Sequence, residues 1–538
     1  MIYFLQFLFI YTFYFVSGYV LLRNISFSAH EKFAMSFTLS SFLFYISSFL
    51  TFLFKDKIFL FLPAGISILG LIIPSRKERK LNFNPSLLVI SLLPFYAFLH
   101  QFLIRFYGFT SWYGDWFIHY QVSQFYLREY PFSFHFEGGY TFTSRPPLFN
   151  LNASYFLNIL GEKFTVFQIF SSVANSLFVF SFYLLLKDIF KPGRFLPFLL
   201  SLLFLHPTIY RHLTYTWNKL FTTYFIFGGL VFGLRALGER KKEYLCFSGI
   251  AWGLAALSHQ FSYFYFLPFF ILLLMNKKWL WREKLIFTLF FLLPLLPWYA
   301  WSISKVGWEE TFLSTPAVTM SYKSSAKWWG VKVRNILTCS LPIHFIYSLR
   351  RWLHNLAPSI SLYNGFLAFS TDTIPGFMGI STLFFFLLGL LRRENADMEI
   401  PFGKFLLLWI IAGITGCIIT EPYDYVQGIV HTGMLPAVLI LLVWIGMKLL
   451  KMKEGKIWRF TVMAEFSLFL WSVPLLTPFV RDANLDLKLK HHLTFLYDRV
   501  YPYRFLIILF IVFIQIGVII WAVKSMRRNN KKERIPAG

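Results

Sequence analysis

Apolar stretches of about 20 residues recur along this chain, and they constrain its fold more than any other feature. A helix of that length crosses the roughly 30 Å hydrocarbon layer of a bilayer. The chain is 57% apolar and 14% charged, whereas a soluble domain carries roughly a quarter charged residues. We therefore expect an all-α polytopic membrane protein, with about 13 to 15 transmembrane helices and external loops that carry short helices.

Basic residues concentrate in the short intervals between the apolar stretches, as in 76–80 and 240–242. Cytoplasmic loops of membrane proteins are enriched in Lys and Arg. If the chain crosses the membrane 15 times, about once per apolar stretch, every strongly basic short loop falls on the cytoplasmic side. The same count puts the intervals 105–163, 304–375 and 478–502 outside. The net charge of +26 then reflects topology and contact with anionic lipid, and nucleic acid is not expected as a partner.

The first external interval carries a possible catalytic acid in the run Trp112-Tyr113-Gly114-Asp115-Trp116-Phe117-Ile118-His119-Tyr120. A carboxylate flanked by aromatic residues at a bilayer boundary is partly desolvated, which suits a general base or an orienting hydrogen-bond acceptor. The alternative is a solvated loop acid anchored by interfacial tryptophans. His119 lies one helical turn beyond Asp115, so the two could pair or ligate a divalent metal, although two ligands are a weak metal signal and a structural histidine is the stronger interpretation.

A second signal, Ser144-Arg145-Pro146-Pro147-Leu148, closes the same interval. Two prolines fix the backbone direction and keep the residue before them extended. They would hold Arg145 at the membrane surface ahead of an amphipathic stretch, Leu148 to Leu160. The planar guanidinium suits phosphate oxygens, and the alternative is ordinary snorkelling to lipid headgroups.

Other polar residues fall near the predicted outer face. Lys219 starts a span there against the usual charge bias, which indicates a second anion contact. Ser258-His259-Gln260 forms an outer turn, and Glu465 is an acid within a predicted span. Glu421 and Asp424 form a further acidic candidate. We expect a catalytic cleft whose lining includes Trp112, Tyr113, Trp116, His119, Tyr120, His259 and Gln260.

Three of these elements together resemble the GT-C superfamily of integral-membrane glycosyltransferases, in particular the protein O-mannosyltransferase and aminoarabinose-transferase branch. They are Gly114-Asp115-Trp116 with Tyr120, then Arg145-Pro146-Pro147-Leu148, then Gly253-Leu254-Ala255-Ala256-Leu257-Ser258-His259-Gln260 before Leu267-Pro268. The resemblance covers about residues 84–300. It implies a GT-C-like fold and glycosyltransferase activity.

The resemblance also implies roles and partners. The donor would be a polyprenyl-phosphate-linked sugar, with its phosphate bound by Arg145 and Lys219. Asp115 would activate a lipid, glycan or protein acceptor for inverting attack, and a divalent metal is possible. The protein would lie in the cytoplasmic membrane, with its active site on the periplasmic or extracellular side.

The assignment of spans, together with the resemblance over 84–300, divides the chain. Residues 1–83 would be additional N-terminal transmembrane helices, and 84–303 the catalytic transmembrane core with 105–163 as its first large external loop. Residues 304–375 would form an external region, and 376–538 the C-terminal helices with a basic cytoplasmic tail.

Two other functions remain open at this point. A polysaccharide polymerase or ligase also uses lipid-linked sugars and would place key arginines in the interval 304–375, where Arg334, Arg350 and Arg351 are available. A lipid or solute transporter predicts repeated halves with interrupted spans in matching positions, and the sequence shows no such repeats.

Overall fold

The computed structural model describes residues 1–72, 85–104, 107, 115–128, 130–277, 279–314, 328–341, 373–392, 402–420, 433–476 and 493–533. Every regular element in these ranges is a helix. The predicted class, an all-α polytopic membrane protein, is therefore confirmed.

The helices of the first half range from 6 to 26 residues in length. They are Ile2–Leu22, Ala29–Phe54, Leu62–Ile72, Pro85–Ile90, Leu93–Gln101, Asp115–Phe125, Leu148–Leu160, Phe164–Ser176, Phe178–Leu185, Leu196–Leu205, Pro207–Thr214, Lys219–Glu239 and Lys242–Ser258. Those of the second half are Ser262–Met275, Trp281–Leu313, Trp328–Ser340, Ile374–Met378, Ile380–Leu391, Gly403–Thr420, Leu435–Lys451, Gly455–Leu476, Leu496–Val500 and Arg504–Glu533.

Seven helices in the described residues are long and apolar enough to cross a membrane, or eight if one bent pair counts as a single span. Several other predicted spans coincide with shorter apolar helices, such as Ser262–Met275 and Ile380–Leu391. The larger count of 13 to 15 assumes that such helices also cross, and it stays a prediction.

The bundle has inner and outer helices. The span Phe164–Phe190, which includes the helices Phe164–Ser176 and Phe178–Leu185, is buried except at Lys187 and Asp188, and Lys219–Glu239 is buried over most of its length. Trp281–Leu313 and Arg504–Arg528 instead expose most of their apolar side chains. Exposed leucine and phenylalanine on a long apolar helix indicate contact with lipid, so the inner helices form the core that positions the site.

The predicted span 195–210 is broken at His206, and its two halves, Gly193–Leu205 and Pro207–Thr214, meet at 57°. Pro207 disfavours helical geometry in the residue before it, and His206 is accordingly extended (φ −71°, ψ 119°). The His206 ring binds backbone groups next to this break. Its Nδ1 accepts from the backbone N–H of Thr208 (3.2 Å), and its Nε2 lies 2.8 Å from the carbonyl oxygen of Phe377.

A second interruption lies beside the first, at Gly379 (φ +83°) between Ile374–Met378 and Ile380–Leu391. The Glu465 carboxylate accepts from the backbone N–H groups of Ile380 (2.6 Å) and Ser381 (2.9 Å). An acid at a helix N-terminus satisfies otherwise unpaired amides and complements the helix dipole. Glu465 therefore serves as a helix cap, which accounts for an acid in this apolar stretch.

The N-terminal helices pack directly against the predicted catalytic core. The Tyr14 hydroxyl donates to Asn152 Oδ1 (2.6 Å), and the Asn152 amide donates to the carbonyl oxygen of Ser41 (3.1 Å). The helix Leu148–Leu160 has the predicted bounds, but residues 148–157 are all buried. Asn150 and Asn152 on this helix bind groups of neighbouring helices, so this face is directed into the protein and not to a membrane surface.

Candidate active site

The helix Asp115–Phe125 places Asp115 in its first turn. The next residue, Trp116, is fully buried and packs against the rings of Tyr107, Phe164 and Phe495. The backbone oxygen of Trp116 also accepts from the hydroxyl of Thr216 (3.0 Å). Trp116 therefore anchors the helix within the protein, and Asp115 stands half-buried at the start of a fixed element.

Arg145 stands between a tight turn and two prolines. The turn is closed by Thr141 and Ser144, because the Ser144 hydroxyl accepts from the backbone N–H of Thr141 (3.1 Å). Arg145 itself is extended (φ −126°, ψ 124°). The predicted effect of the Pro-Pro pair on the preceding backbone is confirmed.

The two sequence signals meet in an ion pair. Arg145 Nη2 donates to Asp115 Oδ1 at 2.7 Å, across 30 residues of chain. The side chains are 18% and 17% exposed, so most of their surface is covered and a small part stays accessible. The guanidinium also lies over the Tyr140 ring, 4.5 Å from its centroid, which fixes the plane of the fork.

Glu310 is a second acid at this place, and it was not predicted from the sequence. Its Oε1 accepts from the hydroxyls of Thr141 (2.7 Å) and Thr143 (2.9 Å), in the turn that precedes Arg145. The helix Trp281–Leu313 bends at Gly307 (φ +84°), which brings Glu310 onto the turn. The available signal was a glycine followed by two acids where an apolar helix ends.

His119 is buried under the ion pair. Its Nδ1 lies 2.9 Å from Asn150 Oδ1, and its ring packs edge-on against Phe149. Burial, and secondarily the charge of Arg145, lower the pKa of His119 to about 4, although Asn150 and Asp115 oppose the shift and Lys219 adds to it. His119 is therefore neutral at pH 7. Its pKa depends on the charges of three predicted site residues, Asp115, Arg145 and Lys219.

Lys219 begins the helix Lys219–Glu239, and its Nζ lies 2.7 Å from His259 Nε2. The ammonium also lies over the rings of Trp217 (5.7 Å) and Phe261 (5.3 Å). A buried hydrogen bond holds the N-terminus of this helix to the turn at Ser258, because Asn218 Nδ2 donates to the Ser258 carbonyl oxygen (2.5 Å). Lys219 and His259, both predicted site residues, are thus joined directly.

The remaining predicted residues divide into two groups. Tyr120 is buried and donates to the carbonyl of Glu162 (3.0 Å), which secures the loop, and Gln260 is half-buried beside His259. The others lie outside the described residues: Trp112, Tyr113, Arg350, Arg351, Glu421 and Asp424.

Metal ligation was a possible role for Asp115 with His119. In the structure Asp115 pairs with Arg145 and His119 with Asn150. Over the described ranges no three His, Cys, Asp or Glu side chains group as a metal site. The arrangement present has two cations, Arg145 and Lys219, with the Asp115 carboxylate bound to Arg145 and the Glu310 carboxylate bound to the turn before it.

Comparison with known proteins finds a family resemblance over part of the chain. Residues 144–301 match the family model for dolichyl-phosphate-mannose-protein mannosyltransferase, which is a GT-C family domain. The resemblance to GT-C glycosyltransferases is thus confirmed over this stretch, which includes Arg145, Lys219, His259 and Gln260. The match supports a multi-pass membrane glycosyltransferase of the GT-C type. No curated protein and no solved structure matches the chain.

Proposed function

We propose that this chain transfers a sugar from a polyprenyl-phosphate-linked donor to an acceptor at the outer face of the cytoplasmic membrane, with inversion at the anomeric carbon. The observation that carries the proposal is the 2.7 Å pair of Asp115 and Arg145, which joins a proton acceptor to a phosphate-binding group. The matched family is named for a lipid-phosphate sugar donor and a protein acceptor.

In the reaction, a hydroxyl oxygen of the acceptor forms a bond to the anomeric carbon while the bond from that carbon to the phosphate oxygen breaks. The electron pair of the broken bond leaves with the polyprenyl phosphate. Asp115 accepts the proton of the attacking hydroxyl, a step that typically contributes a hundredfold or more to the rate. The helix anchored by Trp116 fixes the position of that carboxylate.

Arg145 stabilises the charge that develops on the leaving phosphate. A guanidinium has donors on three nitrogens, so one fork can serve a carboxylate and a phosphate together. Fixed donors in a site with little water stabilise such a charge more strongly than water does. Lys219, held against His259, supplies a second positive charge to the same region.

A membrane-embedded site suits a polyprenyl donor, because the prenyl chain stays in lipid while the sugar phosphate reaches the boundary. Glu310, bound to the turn before Arg145, keeps that turn in place. The acceptor is a hydroxyl-bearing protein, glycan or lipid.

The test is consumption of donor by the purified protein in nanodiscs. A panel of sugar-labelled polyprenyl phosphates, carrying mannose, glucose or aminoarabinose, is incubated with a serine- and threonine-rich peptide or with the native membrane fraction. We expect label to leave one of these donors, and Asp115→Asn to slow this by at least about a hundredfold.

The matched control is Glu162→Gln. Glu162 is an acid of the same external segment, paired with Arg128 at 2.8 Å but far more exposed, and its replacement is expected to leave turnover unchanged. Near-normal turnover in Asp115→Asn excludes the base role, and no consumption of any donor by the wild-type protein excludes this donor class.

A further inference from the structure

A basic cavity lies at the other end of the helix bundle. It encloses about 380 Å³ and is lined by five cationic side chains and no carboxylate. The five are Arg194, Lys451, Lys453, Lys456 and Arg459. The acid nearest to them in sequence, Glu454, pairs with Arg392. Five like charges around one cavity repel each other, so the arrangement calls for an anion.

The helix Arg504–Glu533 shows how far this cavity is from Asp115. Just before that helix, Phe495 packs on Trp116 beside the candidate active site. At the far part of the helix, Met526 lines the basic cavity. At about 1.5 Å per residue, the stretch from Arg504 to Met526 rises roughly 33 Å, about the thickness of a hydrocarbon layer. The cavity therefore lies at the opposite end of the bundle from Asp115.

An apolar groove continues from the basic cavity. It encloses about 700 Å³ and shares Lys456, Arg459 and Met526 with the cavity. Its apolar lining comes from the helices Gly455–Leu476 and Arg504–Glu533, with Phe198 from a third helix. These residues are Phe198, Phe460, Met463, Ala464, Ile519 and Val523. Arg527 also lines the groove, directly after Met526 in the sequence. The joint volume thus has cations at the shared end and apolar side chains beyond it, which is the shape of an amphiphile.

Arg459 stands where cavity and groove join. Its Nε donates to the carbonyl of Gly455 (3.1 Å), and its Nη1 lies 3.1 Å from Met526 Sδ. These contacts hold the guanidinium at the border between the two helices. An arginine fixed in this way presents a planar fork to a phosphate with little loss of side-chain entropy.

We propose that this composite volume binds an anionic phospholipid, with its phosphate among the five cations and an acyl chain in the groove. Basic pockets between transmembrane helices at the cytoplasmic face recognise such headgroups, and the proposed topology puts this end inside. A free phosphate would use the cavity but leave the groove unexplained. The inference does not depend on the proposed catalytic function.

The test compares lipid retention by purified variants. The protein is reconstituted in nanodiscs of phosphatidylcholine with a minor fraction of phosphatidylglycerol, then delipidated, and bound lipid is identified by native mass spectrometry. Arg194→Gln with Arg459→Gln removes two charges from the cavity. Arg528→Gln, an exposed position beyond the cavity on the same helix, is the control.

We expect wild type and Arg528→Gln to retain phosphatidylglycerol, and the double variant to bind it roughly thirtyfold more weakly, at about 1 kcal/mol per lost charge. If the double variant does not fold, Lys453→Gln with Lys456→Gln removes two others of the five charges and tests the same cavity. Ala464→Trp, which fills the groove, is expected to lower lipid retention without removing any charge.

Equal retention by all of these variants overturns the proposal. So does stabilisation of the protein by inorganic phosphate alone to the same extent as by phosphatidylglycerol, because that result assigns the cavity to a small anion.

Discussion

At the scale of single residues, the central feature is that Asp115 and Arg145 are bound to each other. Each was predicted from the sequence for its own role, one as acid and one as phosphate ligand. Their contact at 2.7 Å means that each also fixes the orientation of the other. An ion pair with limited exposure contributes to stability as well as to chemistry, so the two contributions have to be separated by experiment.

A charge swap separates them. Asp115→Arg alone and Arg145→Asp alone each leave like charges adjacent, and we expect each to lower stability by about 1 to 2 kcal/mol. Asp115→Arg combined with Arg145→Asp restores a pair of opposite charges and recovers most of the thermal stability. It does not recover sugar transfer, because the carboxylate then stands where the donor phosphate binds and the guanidinium where the acceptor hydroxyl is deprotonated. Recovery of transfer by the double variant contradicts the assigned roles.

His119 gives a prediction about pH. Its pKa is lowered from 6.5 to about 4, so below pH 6.5 the unfolded chain binds a proton that the folded protein does not. Stability therefore falls as the pH decreases from 6.5 towards 4, and from about pH 7 to about pH 5 this one group removes about 2 kcal/mol. His119→Gln is expected to reduce the difference between the unfolding temperatures at these two pH values, and an unchanged difference argues against the burial of a neutral imidazole.

At the scale of helices, some features could be predicted from the sequence and others could not. The extended backbone at Arg145 and the bounds of Leu148–Leu160 follow from Pro-Pro and from apolar spacing. The break at His206 follows from Pro207, which disfavours helical backbone in the residue before it. The sequence predicted one continuous span here, because apolar residues continue across the break. The role of Glu465 could not be predicted, because the amides it binds are more than 80 residues away in sequence.

Glu465 therefore gives a prediction about one helix. Glu465→Ala leaves two backbone N–H groups of Ile380–Leu391 without their acceptor, and loss of a helix cap costs about 1 to 2 kcal/mol. Glu309→Ala, at an exposed acid, is the control and is expected to be neutral. The measurement is thermal unfolding in detergent, together with hydrogen exchange at Ile380 and Ser381. Equal effects of the two substitutions remove the capping role.

At the scale of the whole molecule, segments predicted to be external converge on one place. Thr141 and Thr143 bind Glu310 from the second external interval, and Phe495 from the third packs on Trp116. The sequence indicated that these intervals share a membrane face, but contact between distant segments leaves no periodic signal. That is why Glu310 was missed and why Trp116 was expected to line the cleft when it is buried.

Topology is tested with single cysteines in a cysteine-free background. The helix Lys242–Ser258 ends beside Lys219 at the site, so its start lies at the opposite end. Glu137→Cys is expected to react with an impermeant maleimide from outside, and Lys242→Cys only after the membrane is opened. The reverse pattern means that the predicted count of spans is wrong by one.

The most direct test of the central claim is the affinity for a polyprenyl-phosphate sugar, measured by equilibrium binding in nanodiscs to wild type, Arg145→Ala and Arg128→Ala. Arg128 belongs to the exposed pair with Glu162 in the same external segment, so both variants lose one cation from that segment. We predict that Arg145→Ala weakens binding by about tenfold or more, since a charged hydrogen bond contributes about 1.5 to 3 kcal/mol, while Arg128→Ala binds as wild type does. Equal affinity of all three proteins would contradict the account.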